Sequence, residues 1–173
     1  MDPVSPHHSR EGIGTPGPAI IPGVLLPAVS LPSAPTGAMV DLRWGRGPRV
    51  FVAVHSAACN ECRRYVRADL ASDADRLAEW GGRLVVVVPG QLESAADLAE
   101  TTPDAQVLGD PEGKLASGGA LVVIADEWGE VYFVANAGAE HDLPTPVEIA
   151  EWVRFIAIQC PECEGPEGEW RTV

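Results

Sequence analysis

The stretch that most constrains this chain is Arg49–Arg64, RVFVAVHSAACNECRR. Val50–Val54 is a continuous apolar run rich in β-branched residues, the length of one strand buried on both faces. A polar corner follows, His55-Ser56-Ala57-Ala58, then Cys59-Asn60-Glu61-Cys62 and a stretch of helical composition. A buried strand feeding a helix, with C-x-x-C at the junction, is the setting in which that motif points to thiol–disulfide chemistry. The reason is electrostatic. The unpaired N–H groups and positive dipole end of a helix N-terminus stabilise an anion, so a sulfur placed there is expected to form the nucleophilic thiolate more readily. Cys59 falls in the first turn, and Cys62 lies on the same helix face. Cys62 is thus placed to resolve a mixed disulfide formed on Cys59. Arg63 and Arg64 add positive charge beside the pair, and Glu61 opposes it. Two other readings stay open: buried cysteines acting as small hydrophobes, and half of a zinc or iron–sulfur site.

The length of 173 residues suits one domain with extensions, and 46% hydrophobic residues suffice for a core. A formal net charge of −13 argues against nucleic acid or an anionic membrane as the main partner. No apolar run approaches the ~20 residues that span a bilayer. Pro18–Pro32 is apolar but interrupted by Pro22 and Pro27, and it lacks the layout of a secretory signal. These features predict a cytoplasmic protein without membrane insertion. Structural disulfides are rare in that compartment. Two C-x-x-C pairs then favour catalysis or metal binding over stapling.

Met1–Thr15 is polar, has no periodicity and reads as a disordered arm. His7 and His8 within it could touch a metal but read as solvated. Residues 16–159 read as the folded domain and 160–173 as an acidic tail. Val24–Pro27, Val29–Pro32 and Thr36–Leu42 look like short extended pieces of an N-terminal β-element, with proline keeping them at a sheet edge. Tyr65, Val66, Leu70, Leu77 and Trp80 predict a helix broken near Ser72 and stopped by Gly81-Gly82. Leu84–Val88 predicts a second buried strand and Ser94–Thr101 a short helix capped by Ser94. Ala105–Leu108 reads as a brief strand. Ala120–Ala125 and Val131–Ala135 predict a hairpin across Asp126-Glu127-Trp128-Gly129. Pro144-Thr145-Pro146 opens a last helix whose apolar face carries Val147, Ile149, Ala150, Val153, Ile156 and Ala157.

This order, together with VFVAVHSAACNECRR, VLGDPEGKLA at Val107–Ala116 and ALVVIADEWGEVYFV at Ala120–Val134, resembles the thioredoxin-like superfamily. Its redoxin branch, which includes thiol-reductase and peroxiredoxin-like proteins, is the nearest in pattern. The resemblance implies an α/β three-layer sandwich with a central mixed sheet, carrying here an N-terminal β-extension and a short cysteine-bearing tail. It also implies a thiol–disulfide oxidoreductase with Cys59 as nucleophile and Cys62 as resolving thiol, needing no cofactor. The chain departs from the family at three positions. Ala58 stands where reductases carry a tryptophan, and Ala53 where they often bury an acid. Ser117-Gly118-Gly119 stands where the family has a cis-proline that docks substrate. The missing proline points to one specific protein disulfide rather than a broad pool. The peroxidase branch uses P-x-x-x-[ST]-x-x-C: Ser56 fits its hydroxyl position, but Val52 replaces its proline. No arginine stands near Gly119, so Arg63, Arg64 or Arg67 would have to substitute in a peroxidase.

Cys160-Pro161-Glu162-Cys163 is a second pair. It reads as a second redox couple, as half of a metal site completed by another chain, or as an unused tail pair. In the family topology Cys160 falls at the pole opposite Cys59, so the two pairs would not share one metal within a monomer. The competing class is a non-catalytic adaptor or maturation protein of a redox complex, holding zinc or an iron–sulfur cluster through its cysteines. His55 is a candidate base or thiolate partner, against the alternative of a histidine bonded to backbone. Asp41, Glu140, His141 and Asp142 are candidate ligands, against the alternative of solvated loop residues, which is favoured. Trp44 and Trp128 read as packed in core or turns, and Trp170 as a candidate recognition surface.

Overall fold

In the computed structural model the described residues are 20–34, 36–115, 119–137 and 141–159. Among them the backbone forms a seven-stranded sheet in the order β2-β1-β5-β4-β3-β6-β7. The strands are β1 Ser30–Ala34, β2 Met39–Asp41, β3 Arg49–Ala53, β4 Arg83–Pro89, β5 Ala105–Asp110, β6 Ala120–Ala125 and β7 Val131–Ala137. β3, β4 and β5 run parallel. β6 joins β3 antiparallel and β7 returns beside it.

The apolar runs become strands because both faces of the sheet are covered. On one face Val50, Val52, Val54, Val86, Val88, Val122 and Ile124 pack with Val66, Leu70, Leu77, Ile149, Val153 and Ile156. Those partners come from helical segments: Tyr65–Leu70, α2 Ala74–Ala78 and α4 Pro146–Ala157. On the other face Phe51, Ala53, Val85, Val87 and Val123, with Leu31 of β1, meet Leu26 and Leu42 from outside the strands. The third layer is therefore built mainly from the N-terminal segment. Each fully buried valine or leucine contributes roughly 1.5–3 kcal/mol of burial relative to exposure, so this segment is an integral part of the core.

Several local expectations need correction. β1, with Pro32, is not an edge strand: it lies between β2 and β5. It is tolerated there because its pairing with β5 involves only Ser33 and Ala34, beyond the proline. Helix α3 spans Leu92–Thr101 with Gln91, not Ser94, at its N-cap. Trp44 and Trp128 are exposed and stack edge-to-face on each other, with ring centroids 6.0 Å apart. The expected break near Ser72 is present. α1 Asn60–Arg64 passes into a π-helical turn, Tyr65–Leu70, then a 3₁₀ turn, Ala71–Asp73, before α2. There the Ser72 hydroxyl donates to the carbonyls of Ala68 and Asp69. Gly81, at φ 70°, ends the segment, and the Gly82 N–H reaches back to the Leu77 carbonyl at 2.8 Å.

Arg49, the first residue of β3, is buried, and its guanidinium donates to the carbonyls of Leu42, Arg43, Trp44 and Asp126. It binds the N-terminal segment to the β6–β7 turn. Burial lowers its pKa, opposed by the charges of Asp126 and Asp41. No described helix is long and apolar enough to cross a membrane.

Candidate functional site

β3 ends at Ala53, and the chain turns through His55–Ala58 before α1 begins. Two contacts of Ser56 shape the corner: its hydroxyl oxygen accepts the Ala58 N–H at 3.2 Å, and its carbonyl accepts the Cys59 N–H at 3.2 Å. Cys59 is the N-cap of α1. The Cys62 N–H points at the Cys59 sulfur, 3.4 Å away. The sulfur thus stands where a serine or aspartate oxygen usually caps a helix. Cys59 is half-buried, Cys62 is buried beneath it, and both are free thiols.

Burial is the main cause that pushes the Cys62 thiol up to about 11; hydrogen bonding and charge from Cys59 and the charge of Glu61 add to it, against a backbone hydrogen bond from His55. His55 is exposed, yet its Nδ1 lies 3.4 Å from Cys62 Sγ. His55 is therefore a partner of the buried sulfur. The guanidinium of Arg63 pairs with Asp97 and donates to the Ala57 carbonyl at 3.5 Å. Arg64 pairs with Glu61 and Asp69. Cys160 and Cys163 lie outside the described residues. Gln159, the last residue of that stretch to be described, lines a cavity with Gly47 and Pro48, at the pole from which β3 starts.

His141 is the residue that sequence reasoning set aside. Its Nε2 lies 3.4 Å from Cys59 Sγ and 3.1 Å from His55 Nδ1. Strand direction explains the meeting. β7 is antiparallel to β6, which is antiparallel to β3, so the chain leaving β7 emerges at the pole where β3 delivers Cys59. His141 has φ 52°, an uncommon backbone state for a residue other than glycine. The next residues hold it there. The Leu143 N–H donates to the His141 carbonyl at 2.9 Å, and the buried Tyr65 hydroxyl donates to the Pro144 carbonyl at 2.7 Å. Thr145 then caps α4, accepting the Glu148 N–H.

No family model matches this chain, and no curated protein matches it. The fold is thioredoxin-like, of the redoxin type, as its solved structural neighbours show. One is the peroxidoxin BcpB of Mycobacterium tuberculosis: 18% identity over 80% of this chain and 98% of that one, TM-score 0.66. Another is reduced Prx3 of Vibrio vulnificus in complex with hydrogen peroxide: 19% identity, 78% and 96% coverage, TM-score 0.66. A third is a putative thiol:disulfide interchange protein DsbE of Chlorobium tepidum: 20% identity, 80% and 99% coverage, TM-score 0.61.

Proposed function

We propose that this protein is a thiol–disulfide oxidoreductase acting on a protein disulfide through Cys59 and Cys62. The observation that carries the reading is the arrangement of the pair: Cys59 Sγ caps the helix and accepts the Cys62 N–H, while Cys62 is buried behind it. In the reaction the Cys59 thiolate attacks one sulfur of the substrate disulfide, and the substrate's other sulfur leaves as a thiolate. His55 Nδ1, 3.4 Å from Cys62 Sγ, takes the proton from the buried thiol. The Cys62 thiolate then attacks Cys59 Sγ and expels the substrate's second sulfur as a thiolate, which takes up the proton held by His55. Two electrons pass to the substrate and the pair is left as a disulfide, which a cellular thiol reductant returns to the dithiol. That requirement accords with the expected reducing, cytoplasmic compartment.

A cavity of about 180 Å³ beside the site is lined by Glu61, Arg64, His141, Leu143, Pro144 and Pro146. It supplies apolar and charged contacts for a polypeptide segment next to Cys59. Single-turnover reduction of a peptide disulfide tests the reading. Cys59→Ser should abolish it, and Cys62→Ser should accumulate a mixed disulfide on Cys59. Unchanged turnover in Cys59→Ser would refute the assignment. Peroxide reduction by Cys59 is the second reading, favoured by the fold shared with BcpB and Prx3. Consumption of hydrogen peroxide by the metal-free dithiol protein, measured against peptide disulfide reduction, separates the two.

A further inference from the structure

We propose that His55, Cys59, Cys62 and His141 form a Cys₂His₂ zinc site. The proposal uses the sulfurs of the oxidoreductase reading but does not rest on that reading. One potential ligand atom from each residue, two sulfurs and two ring nitrogens, lies within 4.8 Å of the others. Two of the four sulfur–nitrogen separations are 3.4 Å each, the nitrogen–nitrogen separation is 3.1 Å, and the remaining edges are no longer than 4.8 Å. A tetrahedral zinc with its usual bond lengths needs roughly 3.5 Å between sulfur and nitrogen and roughly 3.3 Å between nitrogens. Those separations therefore already stand close to the edges of a zinc tetrahedron.

Hydrogen bonding alone accounts poorly for this convergence. Each facing ring nitrogen has one in-plane lobe, either a lone pair or an N–H. His141 Nε2 faces both Cys59 Sγ and His55 Nδ1, and His55 Nδ1 faces both His141 Nε2 and Cys62 Sγ. Each nitrogen must divide one lobe between two neighbours. A cation at the centre engages all four atoms at once. The left-handed backbone of His141, held by Leu143 and by the Tyr65–Pro144 bond, is a second observation: local strain retained where it brings this ring to the sulfurs.

The donor set favours a soft or borderline metal over a hard one. Two sulfurs with two imidazoles in a tetrahedron suit zinc, while magnesium and calcium require oxygen ligands. Zinc, two thiolates and two neutral imidazoles sum to zero charge, which suits a site with one buried sulfur. Both sulfurs bind as thiolates, so binding releases to solvent the proton of each sulfur that is still a thiol. Four protein ligands close the coordination sphere, so the zinc form has no free thiolate to attack a disulfide, and the Cys59–Cys62 disulfide has no thiolate to bind zinc. Metal occupancy and thiol exchange thus exclude each other at one site.

The test uses the full chain, reduced and metal-free under anaerobic conditions, titrated with cobalt(II) and then zinc. One cobalt per chain is expected at this site, with the visible absorption of a tetrahedral ion and a near-ultraviolet thiolate band, both lost when zinc displaces it. A Cys160→Ser, Cys163→Ser double variant should keep that spectrum. His55→Ala and His141→Asn should each weaken zinc binding by more than about 100-fold, beyond the 10- to 100-fold that losing an outer-shell partner costs. Asparagine tolerates the left-handed backbone at 141, and circular dichroism checks that each variant is folded. Unchanged affinity in both histidine variants, loss of metal with the tail cysteines, or an octahedral spectrum overturns the proposal. Disulfide reduction by the same metal-free protein is read separately. A chain that reduces disulfides but takes no zinc overturns this proposal alone, and one that takes zinc but reduces nothing overturns the oxidoreductase reading alone.

Discussion

Tyr65→Phe isolates the bond that ties the helix after the cysteines to the loop after β7. The change removes one oxygen and keeps the ring. In the native protein that hydroxyl is buried and donates to the Pro144 carbonyl at 2.7 Å. Its loss leaves a buried carbonyl without its donor, at a cost of about 1–2 kcal/mol. With a urea dependence of about 2 kcal/mol per molar for a domain of this size, the unfolding midpoint should fall by about 0.5–1 M with no change in slope. Burial first, then the charges of Asp69 and Glu148, hold the Tyr65 hydroxyl protonated well above the ordinary value of 10.0. Above about pH 10 the unfolded chain therefore loses a proton that the folded chain keeps, and stability declines as pH rises. One such group contributes a decline of up to about 1.4 kcal/mol per pH unit. The wild type should show this component and Tyr65→Phe should lack it, so the gap between them narrows above pH 10. An unchanged midpoint at neutral pH, or parallel pH profiles to pH 11, would refute the reasoning.

Three further outcomes follow from the same structure. Iodoacetamide should label half-buried Cys59 well before Cys62, whose labelling should accelerate only as pH approaches about 11; mass spectrometry of timed digests checks this, and equal rates at pH 8 would contradict it. Arg49→Met should cost about 3 kcal/mol, because four backbone carbonyls lose a charged donor, and a loss below about 1 kcal/mol in urea unfolding would contradict it. Gly129→Ala should destabilise at least as much as an ordinary core truncation. Its Cβ would stand 2.5 Å from the Arg43 carbonyl at a backbone φ of 87°, and an unchanged melting temperature would count against this account of the turn.

The strands β3, β4 and β6 were legible because each is buried on both faces and carries an uninterrupted apolar run, Val50–Val54, Leu84–Val88 and Ala120–Ala125. The helix after the cysteines was legible down to its interruption near Ser72, since serine competes for backbone hydrogen bonds. The caps were less so. Ser94 has a capping side chain, yet the helix begins earlier because Leu92 packs against the core. Pro32 marked an edge by propensity, but the limited register with β5 let it sit inside the sheet. Arg49 gave no sign of burial, because a charged side chain enters a core only where carbonyls from distant segments converge on it.

The residues in order determined by themselves a buried strand, a corner and a C-x-x-C pair at a helix start, because those features are set by neighbours within a dozen positions. They also determined that the chain is acidic and apolar enough to fold. Only the tertiary structure decided that His55 and His141, 86 residues apart, meet the two sulfurs. That meeting depends on strand direction: β7, one strand beyond β6, takes the same sense as β3 only once the sheet has formed. Nothing local to the loop carrying His141 records which pole it will reach.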